Sequence, residues 1–314
     1  MSENASSPAA TGIRSGHVEA NGWQLAWEER GPRSGEPVLL IMGLGTQLLG
    51  WPEPFCDALA AAGYRVIRFD NRDIGLSDKW TRRGNQTDVR MAFLRSSFGL
   101  PVQAPYTLAD MAADTAGLID ALDLAPAHLV GASMGGMIAQ MVAADYPDRV
   151  RSLTSIMSTS GARSLPRGRL RVMMRMGSRP VSNDRAVIIE HLTTTMRMIG
   201  SPGMQNSREQ WAELIGRGLD RSYHPAGTAR QLLAILASGS RESLLRRIRV
   251  PSLVIHGDAD PLVPLAHGRH TAACIPDARL WVVPGMGHDL PPPLHEELAT
   301  GIADHASGAG LAAA

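Results

Sequence analysis

Apolar positions along the chain fall into two alternating patterns. After a small, polar opening, His17 to Gly31 shows two short alternating runs that turn at Asn21-Gly22, a strong two-residue hairpin signal. Pro37 to Met42 (PVLLIM) is a continuous apolar run, as expected of a strand buried on both faces, and Phe55 to Ala62 follows with helical spacing. The alternation continues through a strand at Tyr64 to Phe69, a helix at Thr107 to Leu122, a strand at Ala127 to Gly131, a helix at Gly135 to Tyr146 and a strand at Val150 to Met157. It lapses near Ser160 and resumes with a strand at Pro251 to His256, a helix at Pro264 to Ile275 and a strand at Ala278 to Val283. Such a series predicts an α/β fold, a mostly parallel sheet with helices on both faces.

The stretch between the two halves is rich in Arg and Met, with helical periods near Ala186 to Ile199, Arg208 to Leu219 and Thr228 to Ala237. An insertion after a mid-sheet strand lies over the strand ends, where ligands of open α/β sheets bind, so it is read as a helical cap. The expected organisation is a flexible extension (1–16), a first core part (17–159), a cap (160–240), a second core part (241–306) and a flexible tail (307–314).

Composition narrows the classes of function. Apolar residues at 44% and charged residues at 19% suit a globular chain. A formal charge of +1 gives no global field for a nucleic acid, and no apolar run is long enough for a membrane span or a signal peptide. Neither a membrane nor a nucleic-acid partner is expected, and the expected location is cytoplasmic. Cys56 and Cys274 fall in segments that read as amphipathic helices and are expected to be free, buried thiols.

The candidate chemistry starts at Gly131-Ala132-Ser133-Met134-Gly135, a Gly-x-Ser-x-Gly set where a strand gives way to a helix. In that context the serine occupies a sharp turn, and the flanking glycines remove side chains that would strike neighbouring backbone. A serine hydroxyl is a weak nucleophile until a base takes its proton, and that base needs an acid to fix its tautomer. Of the ten histidines only His288, in Pro284-Gly285-Met286-Gly287-His288, sits in a Gly-rich loop past a late strand; His256, at a strand end, is its rival. Asp258 and Asp260 both precede it, and Asp260 is preferred because Pro261 holds it extended, leaving Asp258 to brace the loop. Backbone N–H groups of Met134 and Leu44, in the Gly43-Leu44-Gly45 loop, are the expected oxyanion donors. No metal or cofactor is expected.

With these residues in place the chain resembles the α/β-hydrolase superfamily of esterases and lipases over residues 17–306. Within it, the chain resembles the aclacinomycin methylesterase group of bacterial carboxylesterases. Met42-Gly43, Leu49-Gly50-Trp51-Pro52, Asp260-Pro261, His267-Gly268 and Gly285-Met286-Gly287-His288 carry that likeness. The resemblance implies a serine carboxylesterase acting on methyl or other small, short-acyl esters through an acyl-enzyme. A C–C bond hydrolase or an acyltransferase would use the same triad, and a non-catalytic ligand-binding homologue would keep the fold. Relatives that dehalogenate or open epoxides carry an aspartate nucleophile, which position 133 lacks.

Met42 stands where the commoner family loop has histidine, which leaves the oxyanion loop without that brace. The run Asp70 to Ser77 resembles the family's Asp-x-Arg-Gly-x-Gly-x-Ser loop, with Asp73 replacing the first glycine, and is read as an ion-paired turn. Two readings stay open for Met173, Met174, Met176, Met196, Met198 and Met204: an adaptable pocket lining, or packing of cap helices onto the sheet. The arginines Arg163, Arg167, Arg169, Arg171 and Arg175 could attract an acidic substrate, but a solvated face is the commoner explanation of such a run and is the reading preferred.

Overall fold

The computed structural model describes residues 12–81 and 88–308, so most of the expected extension and tail lie outside the described residues. β1 (Arg14–Ala20) and β2 (Trp23–Arg30) form the expected hairpin, with Asn21 and Gly22 both at positive φ (51° and 77°). The series continues with β3 (Pro37–Ile41), α1 (Glu53–Ala61), β4 (Arg65–Phe69), α2 (Val89–Ser97), α3 (Leu108–Ala121), β5 (Ala127–Ala132), α4 (Met134–Asp145) and β6 (Val150–Ile156). Four helices follow: α5 (Leu170–Met176), α6 (Arg185–Ile199), α7 (Arg208–Arg221) and α8 (Pro225–Ser238). The chain ends with α9 (Glu242–Leu245), β7 (Ser252–Gly257), α10 (Leu265–Cys274), β8 (Arg279–Val283) and α11 (His295–Ala306).

The strands make one sheet in the order β1-β2-β4-β3-β5-β6-β7-β8, antiparallel at β1, β2 and β4 and parallel from β4 onward. Val38 and Leu40 of β3 face a core built with Phe55 and Leu59 of α1 and Leu298 and Ile302 of α11. Leu39 and Ile41 face the other core, with residues of α3 and α4. That two-sided burial is why the strand reads as an unbroken apolar run. The strand order reverses between β3 and β5, so the loops leaving those two strands border the crevice where such sheets bind ligands.

Thr107 and Asp110 form a capping box that starts α3, and Ser207 with Gln210 does the same for α7. α2 and α5 are not apparent from periodicity. Met91, Phe93 and Leu94 on α2, and Leu170, Met174 and Met176 on α5, remain exposed, so neither helix has the single buried stripe that marks a helix in sequence. Cys56 and Cys274 are free and buried, as expected. Among the described residues no helix is long and apolar enough to cross a membrane.

Polar ties fasten the helices between β6 and β7 to the rest of the molecule. Arg230 of α8 forms a two-bond ion pair with buried Asp73 (Nε–Oδ2 2.8 Å, Nη2–Oδ1 2.9 Å), and Tyr106 Oη donates to the same carboxylate at 2.7 Å. The replacement of glycine by Asp73 thus creates an anchor for α8, in the ion-paired turn expected from Asp70 to Ser77. Burial alone would raise the Asp73 pKa, but Arg230, the Trp80 N–H and Tyr106 outweigh it and hold the carboxyl below its ordinary value.

Removing the guanidinium with Arg230→Met leaves a buried charge unpaired and is expected to cost about 3 kcal/mol, read from denaturant unfolding. Because the folded pKa of Asp73 is depressed, its contribution is present above the ordinary carboxyl pKa of about 4 and is lost as pH falls through the lower folded value. Melting curves should therefore show a steeper acid loss of stability in the wild type than in Asp73→Asn; parallel curves would refute that role.

Candidate active site

β5 delivers Ser133 into a turn so tight that its φ is 54°, a conformation that β-carbon-bearing residues hold only under constraint from their surroundings. The constraint is a close approach of backbones. A Cβ at Gly135 would lie 1.9 Å from the Ile41 carbonyl oxygen, and one at Gly131 2.3 Å from that of Gly135. Ser133 N–H donates to Ile156 O (2.9 Å), and Ser158 Oγ donates to Ser133 O (2.7 Å), so β6 holds the turn from the side.

His288 Nε2 lies 2.9 Å from Ser133 Oγ, and His288 Nδ1 lies 2.7 Å from Asp260 Oδ2. The loops after β5, β7 and β8 therefore bring the three expected residues into one hydrogen-bonded line. Asp260 is buried, and its Oδ1 accepts from the N–H groups of Leu262 (2.9 Å) and Val263 (2.8 Å), which fixes the carboxylate and leaves Oδ2 to the imidazole. Asp258 is outside this line; it accepts from Gly285 N–H at 2.7 Å and braces the loop that carries His288. His256 is fully buried with Nε2 against Val263 O at 2.7 Å, and burial pulls its pKa down. Its ring packs under Gly268, where a Cβ would lie 2.6 Å away, so it fills space beside Asp260.

The loop after β3 passes directly over Ser133, with a Cβ at Gly43 placed 3.2 Å from Ser133 Cβ. Leu44 follows Gly43 in that loop, and Met134 is the first residue of α4, where a backbone N–H has no acceptor in a preceding turn. The missing histidine brace is replaced by side chains that sequence reasoning did not identify. Asn71 Nδ2 donates to Met42 O (3.0 Å), and buried Gln231 of α8 accepts from Gly45 N–H (2.9 Å) while donating to Arg72 O (2.9 Å). Gln47 Nε2 donates to the carbonyls of Gly218 (2.6 Å) and Ser222 (2.8 Å), and Arg221 joins Gln47 Oε1 to Asp70 Oδ2. Nothing in a single sequence pairs Gly45 with Gln231, 186 positions apart.

The loop carrying His288 is held in the same manner. His288 N–H donates to Ile199 O (2.8 Å), Gly287 N–H donates to Ser201 Oγ (2.8 Å), and Asp289 Oδ1 accepts from Ser201 N–H (2.9 Å). Burial raises the Asp289 pKa, and its Oδ2 has no hydrogen-bond partner among the described residues.

Ser133 and His288 line a cavity of about 3520 Å³, bounded also by the Gly43-Leu44 loop and by residues of α5 to α8. Met173, Met174, Met176 and Met196 line it, as the pocket-lining reading expects, whereas Met198 and Met204 do not. Arg163, Arg167, Arg169 and Arg171 are exposed, while Arg175 turns inward to Thr195 Oγ1 (2.9 Å). Glu242, His270 and Cys274 bring possible metal-ligating atoms within 4.8 Å of one another, but His270 Nδ1 already meets Ser160 Oγ at 2.9 Å. That trio is accounted for as a hydrogen-bonded cluster.

A serine presented at the switch point of a mostly parallel sheet and backed by a histidine and an aspartate from two later strand ends defines the class. The sequence profile of the alpha/beta hydrolase fold matches residues 36–291, and the chain belongs to that family. It is 31% identical to rhodomycin D methylesterase of Streptomyces peucetius, over 90% of this chain and 95% of that protein. It is 30% identical to the corresponding enzyme of Streptomyces sp. (strain C5), with the same coverage. A meta-cleavage product hydrolase from Pseudomonas fluorescens superposes with a TM-score of 0.74 at 20% identity, covering 94% of this chain and 98% of that one, a likeness of fold.

The two aspartates separate by substitution. Asp260→Asn should lower turnover of a p-nitrophenyl ester by about 10⁴-fold, the size of effect seen when a triad acid is neutralised, while Asp258→Asn should cost far less. The reverse ranking would transfer the role to Asp258.

Proposed function

We propose that the protein is a serine carboxylesterase, with Ser133 as nucleophile, His288 as general base and then acid, and Asp260 as the carboxylate that orients the imidazole. The observation that carries the reading is the Ser133–His288–Asp260 line at 2.9 and 2.7 Å, opening on a cavity beneath the Gly43-Leu44 loop. Ser133 Oγ attacks the ester carbonyl carbon as its proton passes to His288 Nε2, and the N–H groups of Leu44 and Met134 receive the developing oxyanion. Collapse of the tetrahedral species expels the alkoxide, which leaves as the alcohol with the proton from His288. Water, deprotonated by the same imidazole, then releases the acid from the acyl-enzyme. None of these steps calls for a cofactor.

The methylesterase names of the Streptomyces relatives support methyl esters as substrates. The C–C bond hydrolase reading has only a fold-level likeness behind it, since that superposition is at 20% identity. A purely ligand-binding role would leave the constrained φ of Ser133 and the oriented imidazole without a purpose. Residues 160–240, which contain α5 to α8, act in this reading as the cap that roofs the cavity. At about 3520 Å³ the space exceeds the roughly 300 to 1,000 Å³ of common ligand pockets, so it sets no narrow limit on acyl size.

Ser133→Ala should abolish turnover in a folded protein, and the wild type should show a pre-steady-state burst of p-nitrophenol; retained hydrolysis in the variant would remove the mechanism. Activity should also fall as acid protonates the imidazole, because only the neutral ring accepts the serine proton; a rate flat across the acid range would exclude a histidine base. Specificity constants for acetate, butyrate and octanoate p-nitrophenyl esters should lie within about tenfold of one another, with methyl esters also hydrolysed. A preference for acetate alone would contradict the large cavity.

A further inference from the structure

Large apolar side chains left in water are concentrated in one part of this molecule. Nine of the thirteen exposed large apolar residues among those described fall in two segments: Met91, Phe93, Leu94, Phe98 and Leu100 in and after α2, and Leu170, Met174, Met176 and Val181 in and after α5. Phe98 is 74% exposed and Val181 95%. The two segments border the same opening, because Phe93, Leu170, Met174 and Met176 line the cavity while remaining exposed. They also meet directly, with Arg163 packed on Gly99 and its Nη2 3.4 Å from the Gly99 carbonyl oxygen.

Their charge is equally one-sided. Residues 89–103 and 161–182 together hold eight arginines and no Asp or Glu, in a chain whose formal charge is only +1, so the rest of the molecule is net acidic. Arginines interleave with the apolar residues, as in Arg90-Met91-Ala92-Phe93-Leu94-Arg95 and Leu170-Arg171-Val172-Met173-Met174-Arg175-Met176. Short helices of this kind lie in the plane of a lipid interface, with apolar side chains among the acyl chains and guanidinium groups among the head-group phosphates.

We propose that this rim is a docking surface for an anionic phospholipid bilayer, which places the mouth of the cavity against the membrane. The whole-chain composition hides the surface, because the acidic remainder cancels its charge; hence the expectation that no membrane is a partner. Pairing with a second copy through the same face would set seven exposed arginines against seven, whereas an anionic lipid surface complements both the charge and the apolar side chains. The inference does not depend on the esterase reading, since docking requires no turnover.

Cosedimentation with vesicles tests it. The full-length protein should bind vesicles of phosphatidylcholine mixed with phosphatidylglycerol, bind pure phosphatidylcholine weakly, and be released by salt. Phe98→Glu combined with Val181→Glu, and separately Arg95→Glu with Arg169→Glu and Arg171→Glu, should each lower vesicle partitioning at least about tenfold. None of these five residues lines the cavity, so hydrolysis of a soluble ester should continue at the wild-type rate. Absence of vesicle binding at low salt, equal binding to neutral and anionic vesicles, or undiminished binding by both folded variants would each overturn the proposal. A dimer that Phe98→Glu with Val181→Glu dissociates, or capture of soluble polyglutamate, in either case without vesicle binding, would assign the face to a second copy or an acidic protein and overturn it as well.

Discussion

The arrangement of the molecule rests on how closely the start of α4 can approach the ends of β3 and β5. With glycine at 135, that helix comes within van der Waals contact of the Ile41 carbonyl, and the turn before it closes tightly enough to hold Ser133 at a positive φ. Any side chain at 135 would push the helix away from the sheet, taking the Met134 N–H with it and widening the gap to the loop of Gly43 and Leu44. The position of Ser133, both proposed oxyanion donors and the packing of α4 onto the sheet thus depend on a single close contact between backbones. Gly131 and the Ser158 hydroxyl support the same turn from the strand side.

Around that fixed point the loops beside Ser133 and His288 are not self-supporting. The loop over Ser133 is tied to α7 and α8 through Gln231, Gln47 and Arg221, and the loop carrying His288 is tied to the end of α6 through Ile199 and Ser201. Asp70 and Asp73, side by side in one turn, receive arginines from α7 and α8 respectively. Gln231, Ser201, Asp70 and Asp73 are buried and would be costly if left alone, so the helices between β6 and β7 and the strand-end loops stabilise one another's positions.

Much of this was legible in the sequence because it rests on local pattern. Unbroken apolar runs reported strands buried on both faces, Asn21-Gly22 reported the hairpin, and the glycines around Ser133 reported the tight turn. Loop position singled out His288, and Asp260, not Asp258, is the carboxylate hydrogen-bonded to it. What was illegible depends on distance in sequence or on missing burial. Gln231 is an unremarkable polar residue on a helix until Gly45 is placed beside it, and Asn71 supports Met42 across strands that only the folded sheet brings together. α2 and α5 escaped notice because their apolar residues face outward, so no period of burial exists to be read. Which of the six methionines line the cavity was equally illegible, since the same flexible side chain serves for lining and for packing.

The double attachment of the inserted helices bears on how enzymes of this architecture diverge. Helices that merely covered a cavity could be replaced without disturbing the loops beneath them. Here Gln231, Arg221 and Ser201 tie these helices to the loops beside Ser133 and His288, so a foreign set of helices would arrive without the matching anchors and leave those loops displaced. Inherited change is thereby channelled into side chains such as Met173 and Met196, which face the cavity and do not take part in these anchoring bonds. Lineages built in this way should keep the backbone of the insertion and vary its interior surface.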